Sequence, residues 1–241
     1  IEYFRKATES DRSGKIAYLA QSRLGIIFLD RGDYPLAEQY LRNAVNMNRN
    51  EALDHYNLGI VLLRQGKNDE ALAEFLRAQE LGSQDSALLE NLGSVYTTLR
   101  QFDRGIETYQ KILAQNARNT KILARMGELY YNKGDFDSAL DAFRKVTDLE
   151  PVSENARIAY LNIGNILDEA QRFDEAIAAY EKALAINPKD DMALYNLGIA
   201  WKHKGRNEKA IESWQAAKRL NPDNPKPHMA MADLFYDSGY L

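Results

Sequence analysis

The sequence predicts an all-α fold, a right-handed superhelical solenoid of stacked antiparallel helix pairs. The first observation is a large apolar residue followed by glycine, a motif that recurs along the chain and that we call the Leu–Gly pair. Its glycines are Gly25, Gly59, Gly93, Gly127, Gly164 and Gly198. The differences between successive numbers are 34, 34, 34, 37 and 34 residues. One helix pair cannot bury its apolar faces alone, so a unit that recurs in register indicates a stacked array.

The second observation is another helix that follows each Leu–Gly pair in step. Around the last Leu–Gly pair, the apolar residues fall at i, i+3, i+4 and i+7, which is one face of a helix. The following helix carries three apolar or small residues at positions i, i+4 and i+7. These triplets are Ala37/Leu41/Ala44, Ala71/Phe75/Ala78, Gly105/Tyr109/Ile112, Ala139/Phe143/Val146, Ala176/Tyr180/Ala183 and Ala210/Trp214/Ala217.

The third observation is glycine at one equivalent position in the turns. The turns with glycine there have Gly32, Gly66, Gly134, Gly205 and Gly239. A helix that ends at this position favours a left-handed residue, which glycine adopts without steric cost. Arg100 and Gln171 occupy the position in two other turns, so we expect those turns to differ or to be mildly strained.

Together these residues and spacings resemble the tetratricopeptide repeat (TPR), whose unit is about 34 residues long. The resemblance covers nearly the whole chain and implies one solenoid over residues 1–241. Full repeats are expected at 18–51, 52–85, 86–119, 120–156, 157–190 and 191–224. Residues 1–17 are expected to hold a truncated second helix and a linker, and residues 225–241 a partial repeat. We therefore expect a fragment of a longer TPR protein.

The longer spacing between Gly127 and Gly164 predicts three extra residues near Pro151–Asn155. Proline does not continue a helix easily, so the extension is expected in the loop or at the start of the next helix. A matching extension is expected at Thr8–Lys15.

Composition limits the possible functions. The net charge is -4 and the isoelectric point about 5.5. Because a nucleic-acid binder usually shows a basic stripe, we expect no nucleic-acid partner. No run of about eighteen apolar residues exists, which predicts no membrane insertion. The chain has no cysteine, which excludes disulfides and thiolate metal sites but leaves the compartment open. We expect a soluble protein, cytoplasmic rather than periplasmic.

Catalysis has no support in the sequence. His55, His203 and His228 fall on separate repeats, without an H-E-x-x-H motif or a paired nucleophile and base. We therefore predict that the chain is not an enzyme and has no catalytic residue, cofactor or metal site.

The TPR resemblance implies a peptide-binding groove. In TPR proteins the first helices line a concave surface that binds extended peptides, and the residue before the Leu–Gly pair points into it. Four of the seven such residues here are asparagine, at Asn57, Asn91, Asn162 and Asn196. They resemble the asparagine ladder of the O-linked N-acetylglucosamine transferase superhelix, and a carboxamide can both donate to and accept from a peptide group. The alternative is that these asparagines form hydrogen bonds between neighbouring helices.

A basic pair, Lys121 and Arg125, interrupts this neutral row. It matches part of the carboxylate-binding pattern of TPR co-chaperones, while Tyr56 and Ile60 stand where that pattern should begin and do not match it. We expect Arg125 either to receive an acidic side chain of a partner or to pair within the protein, with Glu128 or with Glu90 on the preceding repeat.

Three tyrosines complete the predicted groove site, because an aromatic ring on a groove face can stack on a ligand. They are Tyr56, Tyr131 and Tyr195.

The function that follows is a protein–protein interaction scaffold with a protein or peptide partner. Two alternatives stay open: a structural module that self-associates through exposed repeat ends, and a targeting arm of a larger enzyme.

Overall fold

The structure is a computed structural model that describes residues 1–4, 6 and 14–238. Within residues 14–238 it contains thirteen helices, and residues 2–4 and 6 are also helical. The helices are α1 (Lys15–Asp30), α2 (Tyr34–Met47), α3 (Ala52–Arg64), α4 (Asn68–Glu80), α5 (Ser86–Thr98), α6 (Phe102–Gln115), α7 (Thr120–Lys133), α8 (Phe136–Leu149), α9 (Glu154–Glu169), α10 (Phe173–Ile186), α11 (Asp191–His203), α12 (Asn207–Leu220) and α13 (Pro225–Asp237). None of these residues lies in a strand, so the all-α prediction is confirmed.

The chain forms two compact units, Ile1–Ala117 and Arg118–Leu241. The first unit contains the helix pairs α1/α2, α3/α4 and α5/α6, in which α2 packs on α3 and α4 packs on α5. The second unit repeats this arrangement with α7/α8, α9/α10 and α11/α12, and α13 packs on α12. The repeat boundaries predicted within a single solenoid over 1–241 stay a prediction.

Each Leu–Gly glycine lies in close contact with a side chain of the second helix of its pair. A Cβ atom at Gly93 would lie 2.3 Å from Tyr109 Cε1, and one at Gly127 would lie 2.6 Å from Phe143 Cε1. The side chain that faces the glycine is fully buried in each case. These buried side chains form the core of each helix pair. Burying one Phe side chain stabilises a protein by about 1.5–3 kcal/mol.

The two turns without glycine adopt the left-handed conformation that the other turns use. Gly66 has φ 76°, whereas Arg100 has φ 56° and Gln171 has φ 60°. The predicted mild strain is therefore located at these two residues, at about 1–2 kcal/mol each. The turn at Gly239 lies outside the described residues.

The extra residues of the longer spacing prolong the start of α9. This helix begins at Glu154, ten residues before Gly164, whereas α7 begins at Thr120, seven residues before Gly127. Ser153 caps it, since its Oγ accepts a hydrogen bond from Ala156 N at 3.1 Å. The prediction of an extension in the loop or at the helix start is thus confirmed for the helix start.

Helix α1 has the same extended start. It begins ten residues before Gly25 and, like α9, has 16 residues. The part of the predicted Thr8–Lys15 extension that covers residues 8–13 lies outside the described residues.

Candidate functional site

The predicted ladder asparagines all lie on first helices, each directly before a Leu–Gly pair. In the first unit, Asn57 lies on α3 and Asn91 on α5. In the second unit, Asn162 lies on α9 and Asn196 on α11. Asn57 is buried and the other three are half-buried, so none of them is a freely solvated surface residue.

Asn57 is the ladder residue without a partner. Its relative exposure is 9%, and its carboxamide forms no hydrogen bond with any residue that the structure describes. Neither polar atom of this side chain is fully shielded from solvent. A buried polar group without a protein partner needs water or a ligand, so Asn57 offers both a donor and an acceptor.

The other three asparagines each donate a hydrogen bond within the protein. Asn91 Nδ2 donates to Tyr56 Oη at 3.2 Å, and Asn196 Nδ2 donates to Asn165 Oδ1 at 2.9 Å. Asn162 Nδ2 donates to the Ile158 carbonyl oxygen of its own helix at 3.1 Å. Bonding between neighbouring helices, the alternative interpretation, therefore occurs at Asn91 and Asn196. Each of these three carboxamides keeps its oxygen and its second N–H for a ligand.

Tyr56 lies between the core and the surface of the first unit. Its ring centroid is 5.9 Å from that of Phe75, and its hydroxyl accepts the bond from Asn91. Burial raises the pKa of Tyr56 above its usual range. The residue also lines a pocket of about 430 Å³ between the start of α3 and the loop before α5.

In the second unit, Tyr131 and Asn196 line one polar pocket of about 240 Å³, which we call the acidic pocket. Its lining residues are Tyr131, Asn165, Asp168, Glu169, Tyr180, Asn196 and Ile199. Two of its hydroxyls are held at 2.8 Å: Tyr131 Oη donates to Glu169 Oε1, and Tyr180 Oη donates to Asn165 Oδ1.

The carboxylates of the acidic pocket contribute to the raised pKa values of the two neighbouring tyrosines. The hydrogen bond to Glu169 raises the pKa of Tyr131. Burial, followed by the negative charges of Asp168 and Glu169, raises the pKa of Tyr180 well above its usual range. His203 Nδ1 lies 3.0 Å from Asp168 Oδ2 at the border of the pocket.

Tyr195 lies in a neighbouring pocket of about 300 Å³, which we call the aromatic pocket. The residues that line it are Tyr195, Ile199, Lys202, His203, Trp214, Lys226, Met229, Ala230 and Asp233, of which Ile199 is shared with the acidic pocket. The Tyr195 carbonyl oxygen accepts a hydrogen bond from Trp214 Nε1 at 3.1 Å. Lys226 Nζ lies 6.0 Å from the Tyr195 ring centroid, a weak cation–π distance.

Lys121 and Arg125 lie one turn apart on α7, where Lys121 is exposed and Arg125 is half-buried. Arg125 interacts electrostatically with Glu128, one turn later on the same helix. Desolvation raises the pKa of Glu128, and the positive charge of Arg125 opposes that rise. The interaction of Arg125 with Glu128 that the sequence suggested is therefore present as a charge interaction along α7.

Sequence reasoning missed the residues that form the acidic pocket with Tyr131. Asp168 lies four residues after the glycine of its Leu–Gly pair, and Tyr131 lies four residues after its own. Asn165 directly follows its glycine. Equivalent positions of successive repeats lie close together, so Tyr131 and Asp168 could have been predicted as neighbours from their shared position in the repeat.

Metal and membrane features are absent from the part of the chain that the structure describes. No group of three or more His, Asp or Glu side chains among these residues is arranged to hold a metal ion. No described helix is both long and apolar enough to cross a bilayer.

The sequence matches the family model for the tetratricopeptide repeat. The matched segments are residues 22–86, 56–120, 90–154, 124–191 and 161–225.

Solved structures of TPR proteins share the fold. A tetratricopeptide repeat protein from Parabacteroides merdae is 21% identical with a TM-score of 0.75, over 92% of this chain and 86% of that one. The C-terminal part of a TPR protein from Cytophaga hutchinsonii is 20% identical with a TM-score of 0.74, over 94% and 91%. YrrB, described as a TPR protein with an unusual peptide-binding site, is 23% identical with a TM-score of 0.60, over 79% and 96%.

A curated relative matches a shorter segment. The TPR repeat-containing thioredoxin TTL4 of Arabidopsis thaliana is 28% identical over 76 residues, which is 32% of this chain. The match spans only 11% of the length of that relative.

Proposed function

Because this chain belongs to the tetratricopeptide repeat family, whose repeats are generally protein–protein interaction modules, we propose that it is a scaffold that binds an extended peptide segment of a partner protein. In the first unit α3 and α5, and in the second unit α9 and α11, carry the residues that would contact a peptide. TPR repeat proteins are generally non-catalytic scaffolds, and the proposal requires no reaction.

The observation that carries the proposal is the carboxamide of Asn57. Its polar atoms form no hydrogen bond with any described residue and keep contact with solvent, so a ligand can reach both its donor and its acceptor. A peptide group presents one donor and one acceptor, which a carboxamide can satisfy whatever the peptide side chain is. This property suits a site that recognises an extended backbone.

Two further features support the proposal. The acidic and aromatic pockets of the second unit adjoin each other through Ile199 and could receive side chains of one peptide. YrrB, a protein of the same fold, is described as a TPR protein with an unusual peptide-binding site.

The experiment is a selection of binders from a phage-displayed random peptide library with the purified chain, followed by calorimetry on the selected peptides. Asn57→Ala should weaken binding by up to about tenfold, since one neutral hydrogen bond contributes about 0.5–1.5 kcal/mol. The matched control is Asn46→Ala, an exposed asparagine on the second helix α2, which should leave the affinity unchanged.

A variant with Asn57, Asn91, Asn162 and Asn196 all changed to alanine should lose most of the affinity if it remains helical and melts cooperatively. Equal affinity of this variant and the unchanged chain for every selected peptide would overturn the proposal.

A further inference from the structure

The walls of the acidic pocket supply negative charge and hydrogen-bond acceptors. Asp168 and Glu169 follow each other on α9, and Tyr131 of α7 stands opposite, bonded to Glu169. Among the described residues that line the pocket there is no lysine or arginine. The pocket is therefore an acceptor-rich cavity rather than a set of salt bridges.

No lysine or arginine among the described residues pairs with the carboxylates of the acidic pocket. Glu169 accepts from the neutral hydroxyl of Tyr131, which satisfies one oxygen and leaves the charge in place. Asp168 contacts His203, which carries a charge only when protonated. The hydrogen bond to Glu169 raises the pKa of Tyr131, and burial, followed by the charges of Asp168 and Glu169, raises the pKa of Tyr180.

The geometry decides which kind of cation fits. A metal ion would need three or more well-placed ligands, and the described residues contain no such group. A guanidinium or ammonium group needs hydrogen-bond acceptors and tolerates an aromatic wall, and Glu169, Asp168 and the ring of Tyr131 provide these.

The neighbouring aromatic pocket indicates that the cation is carried by a chain and is not free. The two pockets share Ile199, and they extend from α7 through α9 and α11 to α13. Packed helices lie about 8–10 Å apart, a distance that an extended peptide covers in about three residues. Two side chains of one peptide can thus occupy the two pockets at once.

From this arrangement we propose that the acidic pocket binds the cationic end of an arginine or lysine side chain of the bound peptide, an inference that rests on the proposed function. The side chain enters between Tyr131 and Asn196, and its nitrogen atoms donate to the carboxylates of Asp168 and Glu169. The segment recognised by the second unit is therefore one that carries a basic residue.

The test uses N-acetyl-L-arginine amide and N-acetyl-L-lysine amide as probes, titrated into the full chain and followed by ¹H–¹⁵N NMR. The control probe is N-acetyl-L-citrulline amide, in which a neutral urea of nearly the same shape replaces the guanidinium. At least one cationic probe should shift the resonances of Tyr131, Glu169 and Asn196, and citrulline amide should bind at least fivefold more weakly. The difference should shrink at high salt. Equal binding of arginine, lysine and citrulline amides would overturn the inference.

Variants provide a second readout. The double variant Asp168→Asn and Glu169→Gln should lose at least fivefold in affinity for the cationic probe. Its control, Glu208→Gln and Glu212→Gln, removes the same charge from exposed positions on α12 and should bind as the unchanged chain does. Equal loss in both double variants would mean that only overall charge matters and would overturn the inference.

The outcome is separable from the test of the proposed function. If no cationic probe binds while library-selected peptides still depend on Asn57, the pocket inference fails and the scaffold proposal stands. If the selected peptides are insensitive to the asparagines, the scaffold proposal fails, and binding of the probes alone then describes an isolated cation site.

Discussion

The ring of Tyr180 lies directly over Gly164, so that a Cβ atom added to the glycine would stand 2.4 Å from Tyr180 Cε1. The hydroxyl of the same tyrosine donates to Asn165 Oδ1, the next residue after the glycine, at the floor of the acidic pocket. One side chain therefore joins the packing of α9 and α10 to the polar surface of the first helices. A substitution of Gly164 should therefore change both the packing of α9 on α10 and the hydrogen bond to Asn165.

Replacing Gly164 by alanine should reduce the free energy of unfolding by about 1–3 kcal/mol, because the methyl group overpacks the contact with Tyr180. Urea unfolding monitored by circular dichroism measures the change. Ala185→Ser, which adds one atom at an exposed site on α10, is the control and should have little effect. If Gly164→Ala unfolds at the same urea concentration as the unchanged chain, the close approach does not limit the packing.

Replacing Gln171 by glycine should raise stability by a few tenths to about 1 kcal/mol. The gain comes from removing the strain of a side chain at φ 60°, and it is partly offset by the greater freedom of glycine in the unfolded chain. Arg31→Gly is the control. Arg31 is the C-cap of its helix at φ -84°, where glycine relieves no strain, so this substitution should not raise stability. Thermal unfolding of both variants compares them, and a Gln171→Gly variant that melts earlier would contradict the explanation.

Removing the cap of the extended helix should lower stability by about 1 kcal/mol, the typical cost of losing an N-cap side chain. The variant is Ser153→Ala, which loses the bond from Ala156 N to Ser153 Oγ. Ser86→Ala, at an exposed first position of α5 without this bond, serves as the control. Urea unfolding measures both, and equal effects would show that the cap does not stabilise α9.

Stability should fall in the alkaline range because of Tyr18. Burial, together with the hydrogen bond that Tyr18 Oη donates to Asp54 Oδ2 at 2.9 Å, raises the pKa of Tyr18 to about 12. The unfolded chain loses this proton near the usual tyrosine pKa of about 10. The contribution is fully present below about pH 10, and it is lost as the pH rises through about 12, because the unfolded state is deprotonated first.

Urea unfolding between pH 9 and pH 11.5, a range chosen to bracket roughly the usual tyrosine pKa, tests this expectation. Tyr18→Phe should make the decline shallower, with Tyr56, Tyr131 and Tyr180 causing the part that remains, whereas Tyr236→Phe, at an exposed position, should leave it unchanged. The same alkaline slope in all three proteins would exclude Tyr18 as its source.

The repeat register made most of the fold predictable, because a glycine and the side chain that faces it recur at fixed spacing. Arg100 and Gln171 were found in the same way, since the neighbouring turns required a left-handed residue. The extra residues before Gly164 left two solutions open, because proline is tolerated both in a loop and at a helix start. The serine cap and the helical backbone selected the second solution.

The candidate site was less predictable, because its character depends on pairs from different repeats. Tyr131 and Glu169 are 38 positions apart in sequence yet share a hydrogen bond. Asn57 and Asn91 both directly precede a Leu–Gly pair, so the sequence predicts the same role for both. The structure distinguishes them, since Asn91 donates to the Tyr56 hydroxyl whereas Asn57 forms no side-chain hydrogen bond with any described residue.

The close contact between each Leu–Gly glycine and its facing side chain has a consequence for how such a chain can be recombined. Gly25 faces Leu41 and Gly198 faces Trp214, so the matched volumes differ from one repeat to another. Both halves of each match lie within one helix pair. A genetic crossover in the loops between pairs, such as residues 48–51 or 81–85, transfers the match intact. A crossover inside a pair combines a glycine with a facing side chain from another repeat. Recombined chains should therefore fold when the junction lies between helix pairs and should fail to fold when it lies inside a pair.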